Sequence, residues 1–115
     1  MNMDDWWVYV VYTADHHLYC GITKDVENRV RTHNAGRGAK YLRGGRLPVQ
    51  LCHAWCFPGP DAMSQALEAE AWFKKLSRRK KNTYISTGGR IPRRFDYVFA
   101  ITERFVSANP QLFKE

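Results

Sequence analysis

YVVYTADHHLYCGITKDVENRVRTH, residues 9–33, decides the reading of this chain. Two runs rich in β-branched and aromatic residues, Trp6–Thr13 and Leu18–Ile22, flank the polar tetrad Ala14-Asp15-His16-His17. That pattern predicts a β-hairpin. An amphipathic helix is expected directly after it, over Asp25–Asn34, capped by Thr23 or Asp25 and ended by Asn34 with Gly36. On the helix, Val26, Arg29, Val30 and His33 fall at i, i+3, i+4 and i+7, so Arg29 and His33 share a face. Tyr9 and Tyr19 lie on the paired strands. Two phenols, a guanidinium and an imidazole thus have a route to one small volume.

Outward from this stretch, 115 residues make one domain with a single core. An apolar fraction of 44% and an aromatic fraction of 14% fit a folded globule rather than a disordered chain. No run approaches the roughly 20 apolar residues of a membrane span, and MNMDDWW lacks the basic and apolar regions of a signal peptide. Three cysteines, an odd number, argue against a disulfide framework, so a cytoplasmic location is expected. Of the 18 basic residues, 15 fall in two windows without any acid, residues 29–46 and 71–95. Such segregation, with a net charge of +7, points to a polyanionic partner, and nucleic acid is the commonest. Nothing specifies an oligomer; a monomer is expected.

The remaining chain supports an α/β (α+β) fold, a small, mostly antiparallel three-stranded sheet flanked by helices. AGRGAKYLRGGR, residues 35–46, is a glycine-rich basic loop suited to close approach by a phosphate, with a helical turn over Ala39–Arg43. Leu47–Phe57 reads as the third strand, with Pro48 at its start. A second helix runs from a cap at Asp61 to about Ser77, with Met63, Ala66, Leu67, Ala71, Leu76 and Phe73 on its buried side and RRKK closing it against the C-terminal dipole. STGGR is a loop, Phe95–Phe105 satisfies both periods and is read as helix, and Asn109-Pro110 opens a last turn. Residues 1–85 are expected to form the functional domain, with 86–115 a basic, aromatic extension packed on it.

Trp7-Val8-Tyr9, Tyr19-Cys20-Gly21, Thr23, Arg29 in ENRV, His33, and Glu70 in LEAEAWFKKL follow one another in an order that resembles the GIY-YIG nuclease family, in particular its small stand-alone bacterial members. The resemblance spans about residues 6–82; Asn82 matches a downstream asparagine of many members, and the loop 35–46 looks like that of the stand-alone group. Trp7 stands where the family has its first glycine and Cys20 where it has isoleucine. Neither change removes a reacting group, because strand neighbours of Tyr9 and Tyr19 point to the opposite face.

The resemblance implies a metal-dependent DNA endonuclease leaving a 5′-phosphate and a 3′-hydroxyl. Its candidate catalytic residues are Tyr9, Tyr19, Arg29, His33, Glu70 and Asn82. Glu70 would hold one Mg²⁺ or Mn²⁺, since hard cations prefer carboxylate oxygen. Arg29 would neutralise phosphoryl charge, and Asn82 would orient a phosphate or a metal-bound water. Tyr9 or Tyr19 would serve as general base or water-positioner, which needs a nearby cation because a phenol titrates near pH 10 (about 10). Metal, Arg29 or protonated His33 could supply it; alternatively His33 accepts a proton through the phenol.

Nucleic-acid contacts are assigned to Arg37, Lys40, Tyr41, Arg43, Arg46, Trp72, Arg78, Arg79, Lys80 and Lys81. Tyr41, Trp55, Trp72 and Tyr84 are candidates for base stacking, which suggests a preference for single-stranded or distorted DNA, with RNA as the other substrate such a surface could meet. Two rival readings use the same residues: a nucleic-acid-binding module that does not cut, and an adaptor whose basic face meets an acidic protein. Each site residue also has an ordinary explanation; Glu70, for one, can simply pair with Lys74 at i+4. Cys52-His53-x-x-Cys56 invites a zinc reading, but on one alternating strand both cysteines face away from His53, and buried cysteine accounts for them better.

Overall fold

A computed structural model describes residues 4–87, 92, 95 and 100–114. In chain order these form β1 (Trp6–Tyr12), β2 (Leu18–Thr23), α1 (Val26–Asn34), two 3₁₀ turns (Lys40–Leu42 and Gly44–Arg46), β3 (Gln50–Phe57), α2 (Ala62–Lys74), α3 (Arg78–Ser86), β4 (Ala100–Thr102), α4 (Arg104–Ala108) and a 3₁₀ turn over Pro110–Phe113. The sheet is antiparallel throughout, in the order β2-β1-β3-β4. The α+β class and the hairpin stand as expected; the sheet has four strands instead of three.

The hairpin sets Tyr9 opposite Gly21. A Cβ on Gly21 would lie 2.7 Å from the Tyr9 hydroxyl, so the phenol needs glycine on the facing strand. Asp25 caps α1 by accepting from the Asn28 N–H at 3.0 Å, and Gly36, at φ +79°, follows the helix end. The Asn34 side chain then holds the start of β3, accepting from Val49 N–H at 2.7 Å and donating to Val49 C=O at 3.2 Å.

The sheet has a buried layer on each face. One packs Val8, Val10, Cys20, Trp55 and Phe57 against α2, α3 and the C-terminal turns. The other packs Trp7, Tyr9, Val11, Ala54 and Cys56 against Leu42, Val49 and the apolar side of α1. Trp7 therefore shares the face of Tyr9, contrary to expectation: it lies two residues away, and only the odd-spaced neighbours Val8 and Cys20 point across the sheet. A register shift between Val10 and Val11 leaves Cys52 as the extra residue of a bulge on β3. The bulge reverses the alternation, so Cys52 and Cys56 lie on opposite faces rather than the same one. No single ion can be shared between them across the sheet.

Three further expectations are corrected. The helix read as ending near Ser77 is two helices: α2 stops at Lys74, and Ser77 caps α3 by accepting from Lys80 N–H at 3.2 Å. RRKK thus opens a helix instead of closing one, and its charges face the positive end of the α3 dipole. On α2 the buried stripe is Ala62, Ala66, Ala69 and Phe73, while Met63 and Leu67 are exposed, because small residues let the helix lie close on the sheet. Ala100–Thr102 is a strand, not helix: β3 has an open edge, and pairing there decides between two periods that the sequence satisfies equally. Residues 88–91 and 96–99, part of the expected loop and helix, lie outside the described residues. Among the described residues no helix is long and apolar enough to cross a membrane.

Candidate active site

Tyr9, Tyr19, Arg29 and His33 meet on the α1 face of the sheet. The Tyr9 hydroxyl lies 2.7 Å from His33 Nε2, and the Arg29 guanidinium is close enough for its charge to favour the ionised form of the same phenol. The Tyr19 ring completes the group, with centroids 6.4 Å from Tyr9 and 5.7 Å from His33. Tyr9 and His33 are both 1% exposed.

The loop assigns the proton on His33. The Ala39 N–H, which can only donate, points at His33 Nδ1 at 3.3 Å, so Nδ1 is an acceptor. Burial, and then the Arg29 charge, pull the imidazole down to about 4. A neutral ring with a bare Nδ1 carries its hydrogen on Nε2, and that hydrogen is donated to the Tyr9 oxygen. Neither a protonated His33 nor a His33 that takes the Tyr9 proton, both open from the sequence, agrees with this arrangement. The phenol itself is pushed up to about 12 by burial, with Arg29 opposing that shift.

The basic loop is built into the site. A Cβ on Gly38 would fall 2.0 Å from His33 Nδ1, so the loop lies directly on the imidazole. Tyr41 stacks on Tyr19 with centroids 5.9 Å apart and planes 20° apart, and the Arg46 guanidinium covers Tyr41 at 4.2 Å. Arg46 is held by Asp15 of the hairpin turn at 3.5 Å, and its carbonyl accepts from Ala14 N–H at 2.9 Å. Arg43 donates to Gly38 C=O at 3.2 Å. Arg43, though exposed, and half-buried Arg46 therefore support the loop; Arg37 and Lys40 are exposed as well. Gly38, Ala39 and Asp15 were not singled out as site residues from the sequence, since no spacing tells a phosphate-approach glycine from one that abuts a ring.

The other candidates lie apart. Glu70 stands on α2, across the sheet, paired with Lys74 at 3.3 Å; the charges of both act on the Cys20 thiol at the free edge of β2. Asn82, 4% exposed, spends its amide within the fold: Oδ1 accepts from Arg78 Nε at 3.1 Å, and Nδ2 donates to Lys114 C=O at 3.0 Å. Arg78 also donates to His16 C=O at 3.0 Å. Arg79 and Lys80 are exposed on α3, and Lys81 is half-buried. Trp55, at 1% exposure, is core and cannot stack on a base. Trp72 and Tyr84 are half-buried against each other, ring centroids 5.0 Å apart.

Among the described residues no three His, Cys, Asp or Glu side chains converge as a metal-binding group. A single partly exposed carboxylate, Glu70, suits a Mg²⁺-type ion that keeps several waters and takes its other ligands from a phosphate. A groove of about 1000 Å³ between α1 and the β3–β4 side contains none of the six candidate residues and is lined by charges of both signs.

Residues 5–84 match the GIY-YIG catalytic domain family. A UPF0213 protein of Haloquadratum walsbyi is 51% identical over 87 residues, which is 75% of this chain and 93% of that protein. A UPF0213 protein of Bacillus licheniformis is 46% identical over 85 residues, 74% of this chain and 84% of the relative. The solution NMR structure of a UPF0213 protein from Bacillus halodurans is similar at 40% identity and a TM-score of 0.47, covering 74% of this chain and 86% of that one.

Proposed function

This chain belongs to the GIY-YIG catalytic-domain family, and on that premise we propose that it is a metal-dependent DNA endonuclease that favours single-stranded or distorted DNA. The observation that carries the reading is the Tyr9 oxygen, hydrogen-bonded to His33 and under the charge of Arg29 in a buried, otherwise apolar layer. A donor and a fixed positive charge beside one phenol stabilise its anion, the form that can take a proton from an attacking water. Burial keeps the resting phenol neutral, so the anion gains population when further positive charge enters the site. Mg²⁺ or Mn²⁺ held by Glu70 supplies, when bound, Lewis-acid stabilisation of the phosphoryl oxygens.

Arg29 lies within reach of both the Tyr9 oxygen and a phosphate above it, and its fixed charge would neutralise what develops there. Tyr19, held flat by Tyr41, borders the phosphate position and excludes water from one side. Asn82 supports the site by joining α3 to the C-terminal turn. Arg37, Lys40, Arg79 and Lys80 would meet phosphates along the strand. A cytoplasmic location fits the three free cysteines.

The test is cleavage of end-labelled single- and double-stranded oligonucleotides with Mg²⁺ or Mn²⁺ by wild type, Glu70→Ala and Tyr9→Phe. The expected result is single-strand cleavage by wild type, lost by at least a hundredfold in both variants while binding persists. Binding without cleavage over a varied set of sequences would replace the nuclease with a binding module. Equal cleavage of matched single and double strands would remove the strand preference.

A further inference from the structure

Beside the Tyr9 group, a separate cleft of about 280 Å³ wraps the free edge of β2. Tyr19 and Tyr41 line it from the α1 face, Phe73 and Lys74 from α2, and Lys81 from α3, with Cys20 at its floor. Its volume lies just below the range of about 300–1,000 Å³ usual for small-molecule pockets, which leaves room for one nucleoside-sized group. The floor is apolar and the wall is a stacked aromatic pair. The rim is cationic: the Lys81 Nζ stands 5.8 Å from the centre of the Phe73 ring, and Lys74 reaches Glu70 at 3.3 Å. As an edge strand, β2 also offers backbone N–H and C=O groups that no neighbouring strand among the described residues uses.

We propose that this cleft takes one unpaired nucleobase of the substrate strand. A base presents a flat apolar face, donors and acceptors on its edge, and phosphates on either side; the cleft answers with aromatic rings, a strand edge and two lysines. A paired base has its faces stacked and its edge engaged, so it must leave the helix before it can enter. Strand edges and stacking tolerate every base, which makes the site selective for unpaired structure and indifferent to sequence. Tyr19 belongs both to the cleft and to the Tyr9 group, so the seated nucleotide would adjoin the phosphate presented to Tyr9, and the Lys74–Glu70 pair sets the candidate metal ligand at the cleft rim. This rests on the nuclease reading for the identity of the polymer and gives it a source of single-strand preference.

The experiment measures binding in EDTA, so that cleavage plays no part. Three duplexes are compared: perfectly paired, with one bulged nucleotide, and with the same bulge made abasic. The bulged base carries 2-aminopurine in a parallel series. The expected result is about tenfold tighter binding of the base-bearing bulge than of the abasic one, the size of one stacking contact, with 2-aminopurine fluorescence quenched on binding. Leu18→Trp, which adds bulk to the cleft lining, and Tyr41→Ala, which removes part of its wall, should each reduce that ratio to near one while retaining the melting transition. Equal affinity for base-bearing and abasic bulges in wild type would overturn the proposal. So would an unchanged ratio in both folded variants. A protein that discriminates the base but never cuts would retain the cleft and lose the nuclease; one that cuts without discriminating would do the reverse.

Discussion

A Cβ on Gly38 would stand 2.0 Å from His33 Nδ1, so Gly38→Ala must displace either the imidazole or the loop. The expected outcome is a loss of about 1–3 kcal/mol in stability from overpacking, and a fall in cleavage of at least tenfold as His33 leaves Tyr9. Denaturant titration and cleavage kinetics would read the two effects; a variant with wild-type values in both would show that the contact relaxes freely. The Ala39 bond makes a second claim at this scale: ¹⁵N NMR of His33 should find the hydrogen on Nε2, and a hydrogen on Nδ1 would reverse its role toward Tyr9. The rate should follow. With burial pushing the Tyr9 phenol up and His33 neutral down to about 4, the cleavage rate should rise with pH above 7, about tenfold per unit until the phenol of the metal-loaded site ionises. An acid limb centred near the ordinary histidine value, about 6.5, would contradict the neutral His33. The residue identities were legible in the sequence. Their protonation was not, because His33 is set by a bond to Ala39, six residues on, and by burial against Tyr9, 24 residues back.

At the scale of elements, the break between α2 and α3 shows how a local signal was outweighed. Ser77 is a capping residue, but the apolar and basic positions on either side also continue a helix, and only the observed bond to Lys80 N–H reveals two helices. Ser77→Ala should cost about 1 kcal/mol and lower the melting temperature by about 4 °C; an unchanged melting curve would mean the cap is idle. The same break puts Arg78, Arg79, Lys80 and Lys81 at the positive end of α3, an electrostatic cost that a nucleic-acid contact would explain. Lys80→Glu is therefore expected to raise stability by about 0.3–1 kcal/mol while weakening single-strand binding and reducing the salt slope by about one phosphate contact. Tighter or unaltered binding would take this turn out of the interface. β4 teaches the complementary point. Its three residues gain strand structure only from the edge of β3, so no window of sequence contains the reason.

At the scale of the molecule, two histidines link folding to pH. His33 and His53 are both buried, and burial pulls each down to about 4. The unfolded chain titrates them at about 6.5 and so binds more protons between those values. Their contribution is complete above that upper value and is lost as pH falls toward 4, so the melting temperature should drop between pH 7 and 4.5. A flat profile there would mean that neither imidazole is held neutral. His53 also donates or accepts at Thr102 Oγ1, 2.8 Å away, which places β4 at risk when it charges. The sequence by itself determined the hairpin, α1 with a cap at Thr23 or Asp25, the basic loop and the identities of Tyr9, Tyr19, Arg29 and His33, because strand alternation, capping and charge segregation act over a few neighbouring residues. Only the tertiary structure decided that Trp7 shares the Tyr9 face, that Cys52 and Cys56 part at a bulge, that Trp55 is core, that Asn82 binds within the fold and that His33 is a neutral donor. Each of these depends on burial or on a partner distant in the chain, and a free energy of desolvation belongs to the assembled core, not to any segment of it.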